Sequence, residues 1–291
     1  MIENKKVKTL SPKIDLVFQA LFGEIGNERI TKGFLESILN KKIERIDLSK
    51  NQILKREFKN DKLGVLDIIA ELDGKEICNI EMQIVNKKNI IERILYYWSR
   101  LYSRQLKAGK DYKILEKAII VLIADFEIEE LKELDYHSVW KIMETQSGKR
   151  IVLTEKLELD IIELPKIKGK EEVQDDLLDW LYFLENPKSE RVEKNMEENE
   201  ELKEAVEKLD SLSEDERMQR IADLRQKAIL DEKACYDKGI DDGIQKGIEQ
   251  GSKKEKIEIT KNMLKENIDK DIISRITGFT NKEIEEIEKL I

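Results

Sequence analysis

The chain opens with "PKIDLVFQALF", residues 12–22, in which Ile14, Val17, Phe18 and Leu21 recur at helical spacing. Ser11-Pro12 supplies a start signal, and a second helix is expected over about 27–40. The pattern then switches to strands. Residues 65–72 and 76–85 form a predicted hairpin with Asp73-Gly74 as its turn. A long helix is expected over about 89–108, ended by Gly109. "KAIIVLIADF", 117–126, reads as a central buried strand. "HSVWKIM", 137–143, and "LELDIIEL", 157–164, alternate as strands do, and Pro165 closes the region. The order α-α-β-β-α-β-β-β predicts a mixed α/β domain ending near residue 165.

Beyond it, "DDLLDWLYFL", 175–184, predicts a short amphipathic helix that packs back on the domain. An acidic stretch leads into a mainly helical arm. Gly239-Ile240, Gly243-Ile244, Gly247-Ile248 and Gly251 repeat every four residues. Glycine so placed weakens an isolated helix by roughly 1 kcal/mol per residue, yet lets another helix approach closely. The expectation is a packing or oligomer contact, with a hinge as the alternative. Residues 254–291 read as two or three short helices, with Thr280 and Glu283 as a capping box.

Composition narrows the chemistry. Charged residues make up 40% of the 291, which fits long solvated helices. No apolar run reaches the roughly 20 residues of a membrane span. The first residues, "MIENKKVKTLSPK", lack an apolar signal segment, so a cytoplasmic protein is expected, with Cys78 and Cys235 as free thiols. One histidine, His137, rules out HExxH and Cys/His zinc sites. Neither GxxxxGK[ST] nor GxGxxG occurs, which removes support for ATP or dinucleotide chemistry. Any hydrolysis must rest on carboxylates with an oxygen-loving cation.

The net charge of −9 is unevenly spread. Residues 185–217 hold 13 Asp/Glu against six Lys/Arg, while residues 93–113 hold six Lys/Arg and one Asp. The second of these is compatible with a nucleic-acid partner despite the global balance. On the predicted helix, Arg93, Tyr97, Arg100, Arg104 and Lys107 share one face. Ile94, Trp98 and Leu101 form an inward stripe, which Gln105 continues. A basic face carrying an aromatic suits phosphate contacts, or is an ordinary solvated face.

The hairpin raises its own question, because it carries Asp67 in one strand and Glu81 and Gln83 in the other, among Leu66, Ile68, Ile69, Ile77, Ile80, Met82 and Ile84. Alternation puts Glu81 and Gln83 on one side of their strand, and hairpin register brings Asp67 near them. Adjacent buried carboxylates repel and lose hydration, and a divalent cation relieves both costs. The other reading is a wet face of a half-exposed sheet.

Taken together, "VLDIIAELDGKEICNIEMQ", "ERILYYWSRLYSRQLKAGKDY", "AIIVLIADF", "LELDIIELPK" and "DLVFQALFG" resemble the PD-(D/E)xK-nuclease-type transposases, also called recombination-promoting nucleases. The resemblance covers about residues 10–185, and the Gly-Ile tail is also typical. It implies an α/β fold with a restriction-endonuclease-like mixed sheet flanked by helices, followed by a mainly helical C-terminal arm. The expected division is a nuclease-like core over 1–185, an acidic helical linker over 186–235, and the Gly-Ile helix with a small helical segment over 236–291. It also implies Mg²⁺, with Mn²⁺ as the alternative ion, held by Asp67, Glu81 and the Met82 carbonyl. Gln83 then orients water, and Asp15 is a further acid. Gln19 stands where the family's DxxFK pattern has Lys, which leaves one phosphate-facing contact without its usual residue. The expected activity is metal-dependent hydrolysis of DNA, with Arg93, Arg100 and Arg104 on the backbone, Tyr97 on sugar or base and Gln105 in support. The alternatives are a catalytically inactive DNA-binding protein, or an interaction protein that forms a homo-oligomer through its arm.

Overall fold

The structure, a computed structural model, describes residues 8–49, 68–86 and 88–291. The chain divides into two compact units, residues 1–229 and 230–291.

The first unit is built on a mixed six-stranded sheet. Two helices come first, α1 (Asp15–Phe22) and α2 (Glu28–Leu39), then the short strand β1 (Ile46–Asp47). The hairpin is β2 (Ile68–Leu72) and β3 (Glu76–Gln83), followed by α3 (Ile90–Ser103) and β4 (Lys117–Ala124). After β5 (His137–Trp140) and β6 (Leu157–Glu163) come α4 (Asp176–Glu185), α5 (Glu190–Asn195) and α6 (Glu200–Glu214). The strand order is β1-β2-β3-β4-β6-β5. The β3–β4 and β4–β6 pairs are parallel and the others antiparallel. The hairpin turns at Asp73 and Gly74, both at positive φ, the conformation that Asp-Gly tolerates.

Strand alternation divides the interior into two cores. Cys78, Ile80 and Met82 of β3, with Ile119, Val121 and Ile123 of β4, meet α1, α2 and α4 on one face. Ile69, Ala118, Ile120, Leu122, Leu159 and Ile161 meet α3 on the other. The helices turn their apolar stripes inward. In α2 these are Ile30, Phe34, Leu35 and Ile38; in α3 they are Ile90, Ile94, Tyr97 and Leu101. Helix α3 stops at Ser103, short of Gly109, and beyond it the Gln105 amide brackets the main chain of Glu116, accepting from its N–H at 2.7 Å.

The acidic stretch also contributes to the first core. Val192, Leu202, Ala205 and Leu209 are buried there, and their charged neighbours face outward. Helix α6 lies so close to α2 that a Cβ on Gly33 would fall 2.7 Å from the Glu201 Cβ. Glycine at 33 is therefore a packing requirement.

One buried acid carries a pH signature. Asp160 on β6 lies 2.9 Å from His137 Nε2, and its other oxygen has no partner among the described residues. Burial pushes its carboxyl above the ordinary 3.8, with the His137 contact working against the shift. As pH rises past the unfolded value, the unfolded chain releases a proton that the folded chain retains. The stability contributed at Asp160 is thus complete below about pH 4 and is lost as pH climbs through the folded value. Asp160→Asn should lose less stability than the wild type between pH 4 and pH 7 in urea unfolding. Parallel losses in the two proteins would show that Asp160 ionises without penalty.

Helix α7 runs from Glu216 to Lys265 through the glycine repeat, longer than the sequence pattern indicates. The second unit contains its C-terminal part, then α8 (Lys270–Thr277) and α9 (Asn281–Glu288). Gly278, at φ 76, closes α8, and the Thr280–Glu283 capping box opens α9. Ile273, Ile284 and Ile287 are buried in this unit.

Candidate metal site and nucleic-acid face

The site grows from the odd-numbered face of β3. Asn79, Glu81 and Gln83 project towards α3, while Met82 turns its side chain into the opposite core and can serve only through its carbonyl. Glu81 is 3% exposed, in a strand paired on both sides. Asn79 Nδ2 donates to Glu81 Oε1 at 2.8 Å, and Gln83 Nε2 donates to Oε2 at 3.4 Å.

Helix α3 continues the chain of contacts. Arg93 Nη1 donates to Gln83 Oε1 at 3.4 Å, and Arg93 Nη2 donates to Tyr97 Oη at 3.1 Å. The Arg93 guanidinium lies 5.6 Å from the Tyr97 ring centre. The i, i+4 spacing of Arg93 and Tyr97 makes that contact. Tyr97 is buried, so the aromatic belongs to the helix's inner edge and supports Arg93. Arg100 and Arg104 are half-buried on the same helix side. Gln105 is engaged with Glu116, away from Glu81.

The main chain beside the site is braced from the segment before α1. Asp125 N–H donates to the Gln83 carbonyl at 2.8 Å. Lys13 pairs with Asp125 at 3.0 Å and with Glu185 at 2.8 Å. Burial pulls the Lys13 ammonium down, but its bonds to Glu185 and Asp125 outweigh that and hold it above the ordinary value. Two residues on, Asp15 is exposed and lies 3.8 Å from Arg225. Asp67 lies outside the described residues; among the described residues no three His, Cys or acidic side chains are grouped to hold a metal ion.

Among the described residues, the ligand atoms at Glu81 are oxygens: its own carboxylate and the Met82 carbonyl, with the Asn79 and Gln83 amides donating to the carboxylate. That set fits a hard cation such as Mg²⁺ and not a thiophilic metal. Asn79, Lys13 and Asp125 were not singled out by the sequence reading. The alternation that marks Glu81 and Gln83 also marks Asn79, whereas the Lys13–Asp125 bridge spans 112 positions and has no local signal.

A central mixed sheet with helices on both faces and an acidic residue in a hairpin strand defines a restriction-endonuclease-like α/β protein. The family model described as PD-(D/E)XK nuclease family transposase matches residues 12–239, and the chain belongs to that family. Searches among curated proteins and among solved structures found no significant match.

Proposed function

We propose that the chain is a Mg²⁺-dependent DNA endonuclease, with Mn²⁺ as an alternative ion, acting in recombination or on mobile elements. One observation carries the reading beyond family membership. A buried glutamate on the sheet has each carboxylate oxygen contacted by an amide, and an arginine-bearing helix lies beside it. A buried carboxylate held in this way is the kind of oxygen donor that a hard divalent cation takes.

In this reading Asp67, Glu81 and the Met82 carbonyl hold the ion. The bound ion would lower the pKa of a water and offset charge on the scissile phosphate. Gln83, fixed between Glu81 and Arg93, orients that water; its amide cannot act as a base. Arg93, Arg100 and Arg104 bind backbone phosphates, and Tyr97 sets the Arg93 guanidinium in place. Asp15 is the candidate further acid, and it must part from Arg225 to serve. Gln105 acts by holding the segment between α3 and β4. Cleavage of supercoiled plasmid by the purified protein in Mg²⁺, against the same reaction in EDTA, tests the reading. DNA binding without cutting would favour an inactive DNA-binding protein.

The arm supports a second activity, self-association. Ile240, Ile244 and Ile248 are 42%, 57% and 66% exposed along α7. A Cβ added to Gly239, Gly243, Gly247 or Gly251 would meet open space, so no contact among the described residues explains these glycines. A second copy of the helix would use both the isoleucines and the missing side chains. Sedimentation of the full chain should show mass rising with concentration, and Ile244→Lys with Ile248→Lys should hold it at the monomer. A wild type that stays monomeric throughout would rule out this role. No described helix is long and apolar enough to cross a membrane. Cys78 is buried and Cys235 exposed, both as free thiols.

A further inference from the structure

Asn79 is wholly buried in β3, two residues before Glu81 and on the same face. Its neighbours across the sheet are Ile69 on β2 and Ile120 on β4. An aliphatic side chain would suit that position better if the strand were only structural, since a buried amide must be matched by partners. The Asn79 amide is matched by a 2.8 Å bond from Nδ2 to Glu81 Oε1. Its Oδ1 is a buried acceptor with no donor among the described residues.

These two facts fix the direction of the amide. Turned over, Oδ1 would face Glu81 Oε1, acceptor against acceptor, so Nδ2 must point at the carboxylate. The bond is also better formed than the one from Gln83, which is long at 3.4 Å. Asn79 is thus the stronger of the two amide contacts that orient Glu81. Carboxylates that bind metals are commonly held by such outer partners, and Mg²⁺ retains several of its own waters when bound.

We infer that Asn79 is a positioning residue for the metal site: its Nδ2 sets the Glu81 carboxylate, and its Oδ1 seats a water of the ion's hydration shell. The inference rests on the nuclease reading of Glu81, and a metal-binding measurement separates the two. Calorimetric titration of Mn²⁺ into the metal-free full-length protein is compared for wild type, Glu81→Ala, Asn79→Leu and Asn79→Thr. Leucine has a similar volume and no polar atom, whereas threonine keeps a donor on a strand-compatible side chain.

The wild type should bind, and Glu81→Ala should not. Asn79→Leu should bind about 10- to 100-fold more weakly, the usual effect of losing an outer-shell partner. Asn79→Thr should recover most of that loss, while the two Asn79 variants unfold at the same urea concentration in EDTA. If the leucine variant does not fold, Asn79→Ala takes its place against threonine. Wild-type affinity in Asn79→Leu, beside no binding in Glu81→Ala, overturns the role of Asn79 and leaves the nuclease reading standing. Equal loss in the leucine and threonine variants overturns the donor role. A wild type that binds no ion overturns the nuclease reading, and the role of Asn79 with it.

Discussion

Glu81→Ala is expected to abolish metal-dependent DNA cleavage, a fall of at least about 10²- to 10³-fold, as when one preorganised group leaves an active site. Glu81 is buried, contacts Asn79 and Gln83, and is the acidic side chain that β3 presents towards α3. Removing it takes away the only described carboxylate in the proposed ion site, while Gln83 and Arg93 keep their own contact. Asp67→Ala should have a similar effect, on the strength of the family resemblance. Both variants belong in one plasmid-nicking assay with circular dichroism as a check on folding. Cleavage at the wild-type rate by folded Glu81→Ala would move the active site out of the hairpin altogether.

The largest stability effect is expected at Trp180. It is fully buried on α4, with ring centres 5.5 Å from Phe34, 6.1 Å from Phe22 and 6.3 Å from Phe183. It also lies 3.3 Å from where a Cβ on Gly33 would sit, so it fills the gap between α4 and the α2–α6 contact. Truncating such a residue costs about 3–5 kcal/mol, because the cavity cannot collapse between helices already in close contact. That is a large share of the roughly 5–15 kcal/mol that holds a domain folded. Trp180→Ala should lower the urea midpoint sharply, and Trp180→Phe should lose less than half as much. A change below about 1 kcal/mol in the alanine variant would show that α4 is not integral to the first core.

Much of the site could be read locally. Period-two alternation in "NIEMQ" puts Glu81 and Gln83 on one face, and Asp73-Gly74 determines where the hairpin turns. Helical spacing in α3 places Arg93 beside the strand. The same spacing placed Tyr97 on the basic face and Trp98 on the inward stripe, and the two are adjacent, so either could lead that stripe. The sheet surface decided it: Tyr97 packs in the second core, while Trp98 lies at its margin, stacked on Tyr102 at 5.0 Å.

What the sequence determined by itself is what depends on neighbours a few residues away. It determined the strands and their faces, the capping box at Thr280, the apolar stripes and the acidic residue placed in a strand. Only the tertiary structure decided which elements meet. It brought Val192 and Leu209 of the acidic stretch into the first core, seated Gly33 against Glu201, and linked Lys13 to Asp125 beside Gln83. It also left the Ile240–Ile248 stripe uncovered along a continuous helix. Backbone periodicity is a local property of the chain. Contacts between distant segments follow from how two cores close on opposite faces of one sheet, and no short window of sequence contains that information.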